Sequence, residues 1–295
     1  MNNTAYARGT ARQLPAFATP DPIAVSIELS VGDVRVVASD RTDTVVQVRP
    51  TDASRELDVR DAEQTRVEHT ASGLLVKTPR PRGLGLLGKP GSVDVTIELP
   101  AGSSLDGDSS VAAFHSAGRL GECRIKTTAG NVDLDETGPL DLHTGAGAVS
   151  VAKVVGNAEV TTGTGRIRLG QIDGSAVIKN SNGDTRIDAV TGDLRMNASN
   201  GDLTVGRADA NVTGKSANGE IRIGQVSSGT VEVKTSNGEI EIGVQDGTAA
   251  RLDLFTSFGH VRNHMDAADS PEPADAVVEV SARTSYGDIV IRRAS

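Results

Sequence analysis

Aromatic residues are scarce in this 295-residue chain: they make up 2% of it, as four Phe, two Tyr and no Trp. Thick two-layer cores are commonly filled by large aromatic side chains, so a compact sandwich or an α/β enzyme fits poorly. Sites that cleave polysaccharides need paired carboxylates together with aromatic platforms for sugar rings. Acids are plentiful here, but platforms are not. Cysteine is nearly absent: the single Cys123 excludes an internal disulfide, and its alternating apolar surroundings mark it as a small buried hydrophobe rather than a nucleophile. No stretch approaches the roughly eighteen apolar residues of a membrane span. Residues 1–21 carry Arg8 and Arg12 but no apolar run like that of a secretion signal, so a cytoplasmic location is expected. Excess basic charge is missing too. A formal net charge of −9 argues against the basic stripe that nucleic acid requires and against docking on an anionic membrane.

Glycine is abundant, with 33 residues, and it recurs in a phrase that returns about every eighteen residues. The phrase is Ser/Thr-x-Gly-Asp/Glu-apolar-x-apolar. It reads Ser181-Asn182-Gly183-Asp184, Ser199-Asn200-Gly201-Asp202, Ala217-Asn218-Gly219-Glu220 and Ser236-Asn237-Gly238-Glu239, with weaker copies centred on Gly130, Gly147 and Gly165. A fixed period near twenty residues is the signature of a solenoid, each repeat being one coil stacked on the last.

Numbering from the motif glycine, positions −7, −5, +2 and +4 should share one face, because side chains alternate across a strand. They are apolar almost throughout. Position −7 holds Cys123, Leu140, Ala158, Ala176, Leu194, Val212 and Val231, and position +4 holds Leu134, Val151, Leu169, Ile187, Val205, Ile223 and Ile242. Only Gly214 at −5 and Thr185 at +2 break the rule. Intervening positions are mostly polar, and no helical period appears in the repeats. An antiparallel meander also gives short alternating strands, but it does not require like residues at equivalent positions. Stacked parallel coils do, since each side chain lies about 4.8 Å above its counterpart. Stacking also accounts for the Asn column at −1 (Asn182, Asn200, Asn218, Asn237), which can bond as a ladder, and for the small polar column at −3, which includes Thr127, Thr144, Thr162, Asn180, Ser216 and Thr235. The expected fold is all-β, a β-solenoid with 18-residue coils, and a right-handed parallel β-helix given the preference for right-handed crossovers.

Along the chain, residues 1–22 read as a flexible tail and residues 23–102 as irregular β-rich coils forming a cap. Regular repeats occupy residues 103–244. Wider coils and a second cap follow in residues 245–295, with an acidic, Pro-containing loop at 266–275. The last strand is followed by Arg292-Arg293, whose charges would blunt an open sheet edge. End-to-end stacking of copies is open to such a solenoid, but these arginines lean against it.

The repeats, together with Leu99-Pro100-Ala101-Gly102-Ser103, resemble a bacterial β-strand-repeat family of unknown function whose members carry an adhesin label. The resemblance spans nearly the whole chain. It implies a β-solenoid and brings no catalytic residues with it.

Candidate sites are few. Gly83-Leu84-Gly85-Leu86-Leu87-Gly88-Lys89-Pro90 approaches a phosphate-binding loop, but Pro90 stands where a hydroxyl must hold Mg²⁺ and a strand follows instead of a helix. It reads as a surface loop. The column Asp184, Asp202, Glu220, Glu239 offers one acid per turn, a weak candidate for a divalent cation beside its plainer reading as a solvated stripe. His260 and His264 lie four apart, a spacing that holds zinc only on a helix. Phe258 and Tyr286 replace the ladder Asn in Ser257-Phe258-Gly259 and Ser285-Tyr286-Gly287. With Phe255 they form either a partner patch or a hydrophobic plug for the C-terminal end. No catalytic group and no cofactor is expected. The reading is a non-catalytic scaffold or interaction module with an unknown protein partner. Its alternatives are a cation- or glycan-binding surface adhesin and a β-helix lyase or hydrolase.

Overall fold

The computed structural model describes residues 12–13, 16–79, 90–265 and 277–294. Two stretches singled out from the sequence, the glycine-rich segment ending at Lys89 and the acidic loop 266–275, lie outside the described residues. The chain divides into two compact units, residues 1–138 with 142–144, and residues 139–141 with 145–295.

In the first unit, the 16-residue strand Ala24–Ser39 is the organising element. It alternates buried and outward side chains and runs parallel to Ser104–Ala117, with Ala24 beside Ser104 and Val37 beside Ala117. Gly73–Lys77 and Val93–Pro100 lie parallel along its two halves. Ser104–Ala117 in turn pairs with Cys123–Ala129 and Val132–Thr137. Antiparallel pairs occur in this unit: Asp43–Pro50 on Val93–Pro100, Arg66–Thr70 on Gly73–Lys77, and Arg12–Gln13 on Asp43–Pro50. Part of the segment expected as a flexible tail is also paired. Phe17–Ala18 lies antiparallel to Asp43–Pro50, with the hydroxyls of Thr19 and Thr44 bonded at 2.8 Å. Among the described residues Phe114 is the one fully buried aromatic ring. It fits because Gly107 leaves room, a Cβ there lying 2.6 Å from the ring.

A nine-residue helix, Glu56–Gln64, interrupts this unit and has no apolar stripe to announce it. Its buried face holds Asp58, Asp61 and Ala62. The two carboxylates accept backbone N–H groups, Asp58 from Asp52 and Ser92 at 3.2 and 3.1 Å, Asp61 from Gly91 at 2.7 Å. The helix is fastened by charge-assisted hydrogen bonds, a pattern that hydrophobic periodicity does not register.

The second unit is a parallel β-solenoid. Val149, Ile167, Thr185, Leu203 and Ile221 stack in one column, and Ala158, Ala176, Leu194 and Val212 in another, each eighteen residues from the next. Both exceptions in the apolar columns have packing partners. Gly214 is filled by its neighbours Met196 and Val233, since a Cβ there would meet Val233 at 3.2 Å. The buried Thr185 hydroxyl accepts from Asn180 Nδ2 at 3.3 Å, and that amide also donates to the carbonyls of Gly165 and Gly183. In the same polar column Thr235, Thr256 and Thr284 donate to the motif glycine carbonyls of Gly219, Gly287 and Gly238 at 2.9–3.1 Å. Thr162 and Ser216 are buried there without such a bond.

The C-terminal coils are not stacked in chain order. Gly229–Asn237 pairs with Val277–Tyr286, which pairs on its other side with Ala249–Phe258. Ile289–Arg293 likewise sits between Ile240–Val244 and Val261–Asn263. The last coil in sequence is therefore the penultimate in space, and residues 249–263 form the end rung. This corrects the expectation that Arg292-Arg293 guards an open edge. Arg292 Nε donates to Glu241 at 2.6 Å, and Arg293 Nη1 donates to the carbonyls of Gln245 and Thr248 at 3.1 and 2.8 Å. The physical reason lies in side-chain character. Val278, Val280, Ala282, Ile289 and Ile291 are at most 2% exposed and continue the inner columns on both sides, whereas residues 249–263 carry bulky groups outward and tolerate only one covered side.

Two outcomes check this architecture. Gly219 has φ +145° and its Cβ would lie 2.1 Å from the Gly201 carbonyl oxygen, while Gly247, at φ +76°, has nothing within 4 Å. Urea denaturation should show Gly219→Ala destabilised by about 3 kcal/mol or more, and Gly247→Ala by only about 1 kcal/mol. Truncation after residue 276 should abolish amide protection at 249–258, because the coil bridging that strand to Gly229–Asn237 is gone. Unchanged hydrogen exchange there would contradict the threaded order.

Candidate protein-interaction surface

The outward face of the second unit is ordered by the same period. Asn200 Nδ2 donates to Asn182 Oδ1 at 2.8 Å, Asn218 to Asn200 at 3.0 Å, and Asn237 to Asn218 at 2.9 Å. This is the side-chain ladder that identical stacking predicts. Tyr286 occupies the next position in the column beside Asn237, and Phe258 the one after. Here amide bonding gives way to ring stacking. The Phe258 and Tyr286 centroids are 4.9 Å apart with planes inclined by 7°, a spacing close to that of successive parallel strands. Phe258 is 65% exposed, and Phe255 and Tyr286 are each 57% exposed. Val261 and Val277 are exposed nearby in sequence. The three aromatics thus lie on the outer surface. The rings were legible as departures from the Asn column, but the valines were not, because they follow no motif.

The acid column has a local role. Asp184 Oδ1 accepts the backbone N–H of Asp202 at 3.2 Å, and Asp202 Oδ1 that of Glu220 at 2.8 Å. Each carboxylate secures the turn of the neighbouring coil, and Glu239 continues the column. Among the described residues no group of three or more His, Cys, Asp or Glu is gathered to hold a metal ion. On the penultimate coil Asp288 repeats the pattern toward the end rung, accepting His260 N–H at 2.8 Å and pairing with Arg262 at 3.0 Å. The His260 N–H bond, aided by the Arg262 charge, holds the Asp288 carboxyl below the usual carboxylate range. His260 and His264 flank the short strand Val261–Asn263, without the helical alignment a zinc pair needs. Cys123 is fully buried, and burial pushes its thiol up to about 12, which leaves no thiolate for chemistry.

Two open grooves in the first unit were not apparent from sequence. One, of ≈ 550 Å³, is lined by Ser26, Thr70, Ser72, Asp106 and Arg124, and the other, of ≈ 540 Å³, by Glu28, Ser30, Asp106 and Asp108. Both mix hydroxyls and carboxylates with aliphatic residues such as Leu74, Leu105 and Ile27, and neither lining includes an aromatic ring. No described helix is long and apolar enough to cross a membrane.

A family model described as Toastrack DUF4097 matches residues 76–292. No curated protein matches the chain. Among solved structures, a candidate adhesin from Bacteroides fragilis NCTC 9343 is 13% identical, with 96% of this chain and 97% of that one covered and a TM-score of 0.42. A candidate lipid-binding protein from Parabacteroides distasonis ATCC 8503 is also 13% identical, with 96% of each chain covered and a TM-score of 0.36. A candidate cell adhesion protein from Clostridium sporogenes ATCC 15579 is 9% identical, covering 97% and 99%, with a TM-score of 0.24.

The lowered Asp288 carboxyl sets a pH dependence. A depressed folded value means its stabilisation is present above the ordinary carboxylate range and is lost as pH falls through the lowered value. Hydrogen exchange at the His260 amide, corrected for the intrinsic rate, should accelerate on acidification. In Asp288→Ala it should be fast at every pH.

Proposed function

The chain belongs to the Toastrack DUF4097 family, and from that premise we propose that it works without catalysis, as an adhesin-like module that binds another protein through the aromatic end of its solenoid. The observation that carries this reading is the exposed ring stack. Of four Phe and two Tyr in the whole chain, Phe255, Phe258 and Tyr286 stand outward on the two terminal coils. Solvent-facing rings of this size gain most when a partner desolvates them, and aromatic side chains are enriched among the residues that dominate binding energy. The stacked backbone beneath holds them rigid, so little side-chain entropy is lost on contact. The ordered columns of the second unit act in this reading as a scaffold that presents the end rung, and a cytoplasmic setting forms part of the proposal.

The test is a binding titration with a protein recovered from the native host, comparing wild type with Phe258→Ala/Tyr286→Ala. Both positions are exposed, so the variant should keep its fold. Affinity should fall by about tenfold or more. Unchanged binding, or turnover of a polysaccharide that disappears when a carboxylate pair is replaced, would defeat this reading. Recovery of the native protein from the cell surface would move its setting.

A further inference from the structure

The strand Ala249–Phe258 has a second property, separate from its aromatic rings. Among the described residues it has one strand neighbour, Val277–Tyr286, so the backbone N–H and C=O groups of its other edge face outward, away from the rest of the stack. Edges are protected by shortness, bulges, charged side chains, Pro or a covering segment, and the charges on this edge are Arg251 and Asp253. The strand is ten residues long, AARLDLFTSF, without Pro. Its inward side chains are also incompletely covered. Leu252 and Leu254 are half-buried, although their neighbours in the same columns, Val280 and Ala282, are 2% and 0% exposed. Unpaired backbone and uncovered aliphatic side chains therefore share one edge, in the register of the core.

The charges on this edge are self-complementary. Arg251 lies 3.7 Å from Glu279, and Asp253 receives Arg283 Nη2 at 2.9 Å. When two copies of the strand are laid antiparallel with Leu252 facing Leu252, each Arg251 stands opposite the other copy's Asp253. Across four strands the row is then Glu279, Arg251, and the other copy's Asp253 and Ser281, with that copy's Arg283 reaching Asp253 diagonally from two residues along. Directly opposed residues in an antiparallel pair share a face, so Ala250 meets Leu254 and the aliphatic groups stay inside. A slip of one residue would turn Leu252 against an outward charge, and centring on Arg251 or Asp253 would oppose like charges.

We propose that this strand pairs with its counterpart in a second copy of the chain, antiparallel and centred on Leu252, closing a two-fold dimer. Such an interface uses the edge completely and does not propagate. It goes beyond the aromatic contact proposed above: Phe255 stands opposite the other copy's Ala249 inside the paired segment, but Phe258 and Tyr286, the positions replaced in that test, lie outside it, so the two tests read separately.

Sedimentation equilibrium of the full chain tests the pairing. Wild type should show a monomer–dimer equilibrium. Arg251→Asp and Asp253→Arg should each raise the dissociation constant about tenfold or more, and the double variant R251D/D253R should return it to within about threefold of wild type. Both side chains are exposed, at 83% and 66%, and a thermal melt of each variant confirms that it folds. Under oxidation Leu252→Cys should cross-link two copies, since opposed Cβ atoms lie about 5 Å apart, while Ser257→Cys should not. A strictly monomeric chain, open-ended polymers, indifference to single charge reversal, failure of the double reversal to restore, or equal cross-linking at both cysteines would each overturn the proposal. Loss of host-protein binding in Phe258→Ala/Tyr286→Ala with dimerisation intact would leave both readings standing.

Discussion

The contact on which this structure depends is the approach of one motif glycine to the carbonyl of the glycine one coil away. At Gly201 and Gly219 the space a Cβ would take is already occupied, at 2.2 and 2.1 Å, by the carbonyl oxygens of Gly183 and Gly201. Only glycine allows coils to meet so closely at a corner while holding a positive φ. That approach fixes the axial register, and the rest follows from it. Like side chains stack on like, the aliphatic columns are buried, and the small polar column reaches the glycine carbonyls as hydrogen-bond acceptors. A slender core of Val, Ile, Leu and Ala needs no aromatic filling, which is why the chain can dispense with Trp.

Periodicity of this strength creates its own problem at the end of the stack. Every inner coil has its backbone and its columns satisfied from both sides, but a terminal coil is satisfied from one side only. The fold meets this by placing its most aliphatic late segment, residues 277–293, inside, and the coil with Phe255, Phe258 and Arg251 outside. The Asn ladder stops at Asn237, two coils before the end, and the stacked rings of Tyr286 and Phe258 take over the column. An amide at the end of a ladder leaves a donor or an acceptor unmatched on one side, whereas a ring presents a face that needs no hydrogen bond. The chemistry of the end rung therefore differs from that of the repeats beneath it, and this difference draws attention to it as a contact surface.

The repeat columns were legible residue by residue. Positions −7, −5, +2 and +4 are buried as alternation requires, and the Asn ladder forms the predicted bonds. Even the two irregular positions, Gly214 and Thr185, were visible as exceptions, although Met196 and Asn180 as their compensating neighbours were not. The helix Glu56–Gln64 escaped notice because its buried face is anionic and is held by backbone N–H groups from residues far off in sequence. The carboxylates of Asp184 and Asp202 were legible as a column, but not as acceptors for the next coil's N–H groups. Their role depends on a turn geometry that residue types alone do not specify. Phe258 and Tyr286 were legible as occupants of one column, yet their direct neighbourhood depended on which coil came last.

From sequence alone one can deduce the all-β class, the eighteen-residue coil and the identity of the inner columns, because each is a property of local alternation repeated at a fixed interval. Membership in a stack is encoded in every repeat, but rank within it is not. The order of the last two coils was decided only by tertiary structure. Both carry the motif and both could pair with Gly229–Asn237, and the choice rests on which one leaves less aliphatic surface in water when it occupies the end. That comparison involves the whole stack at once, and no local pattern contains it.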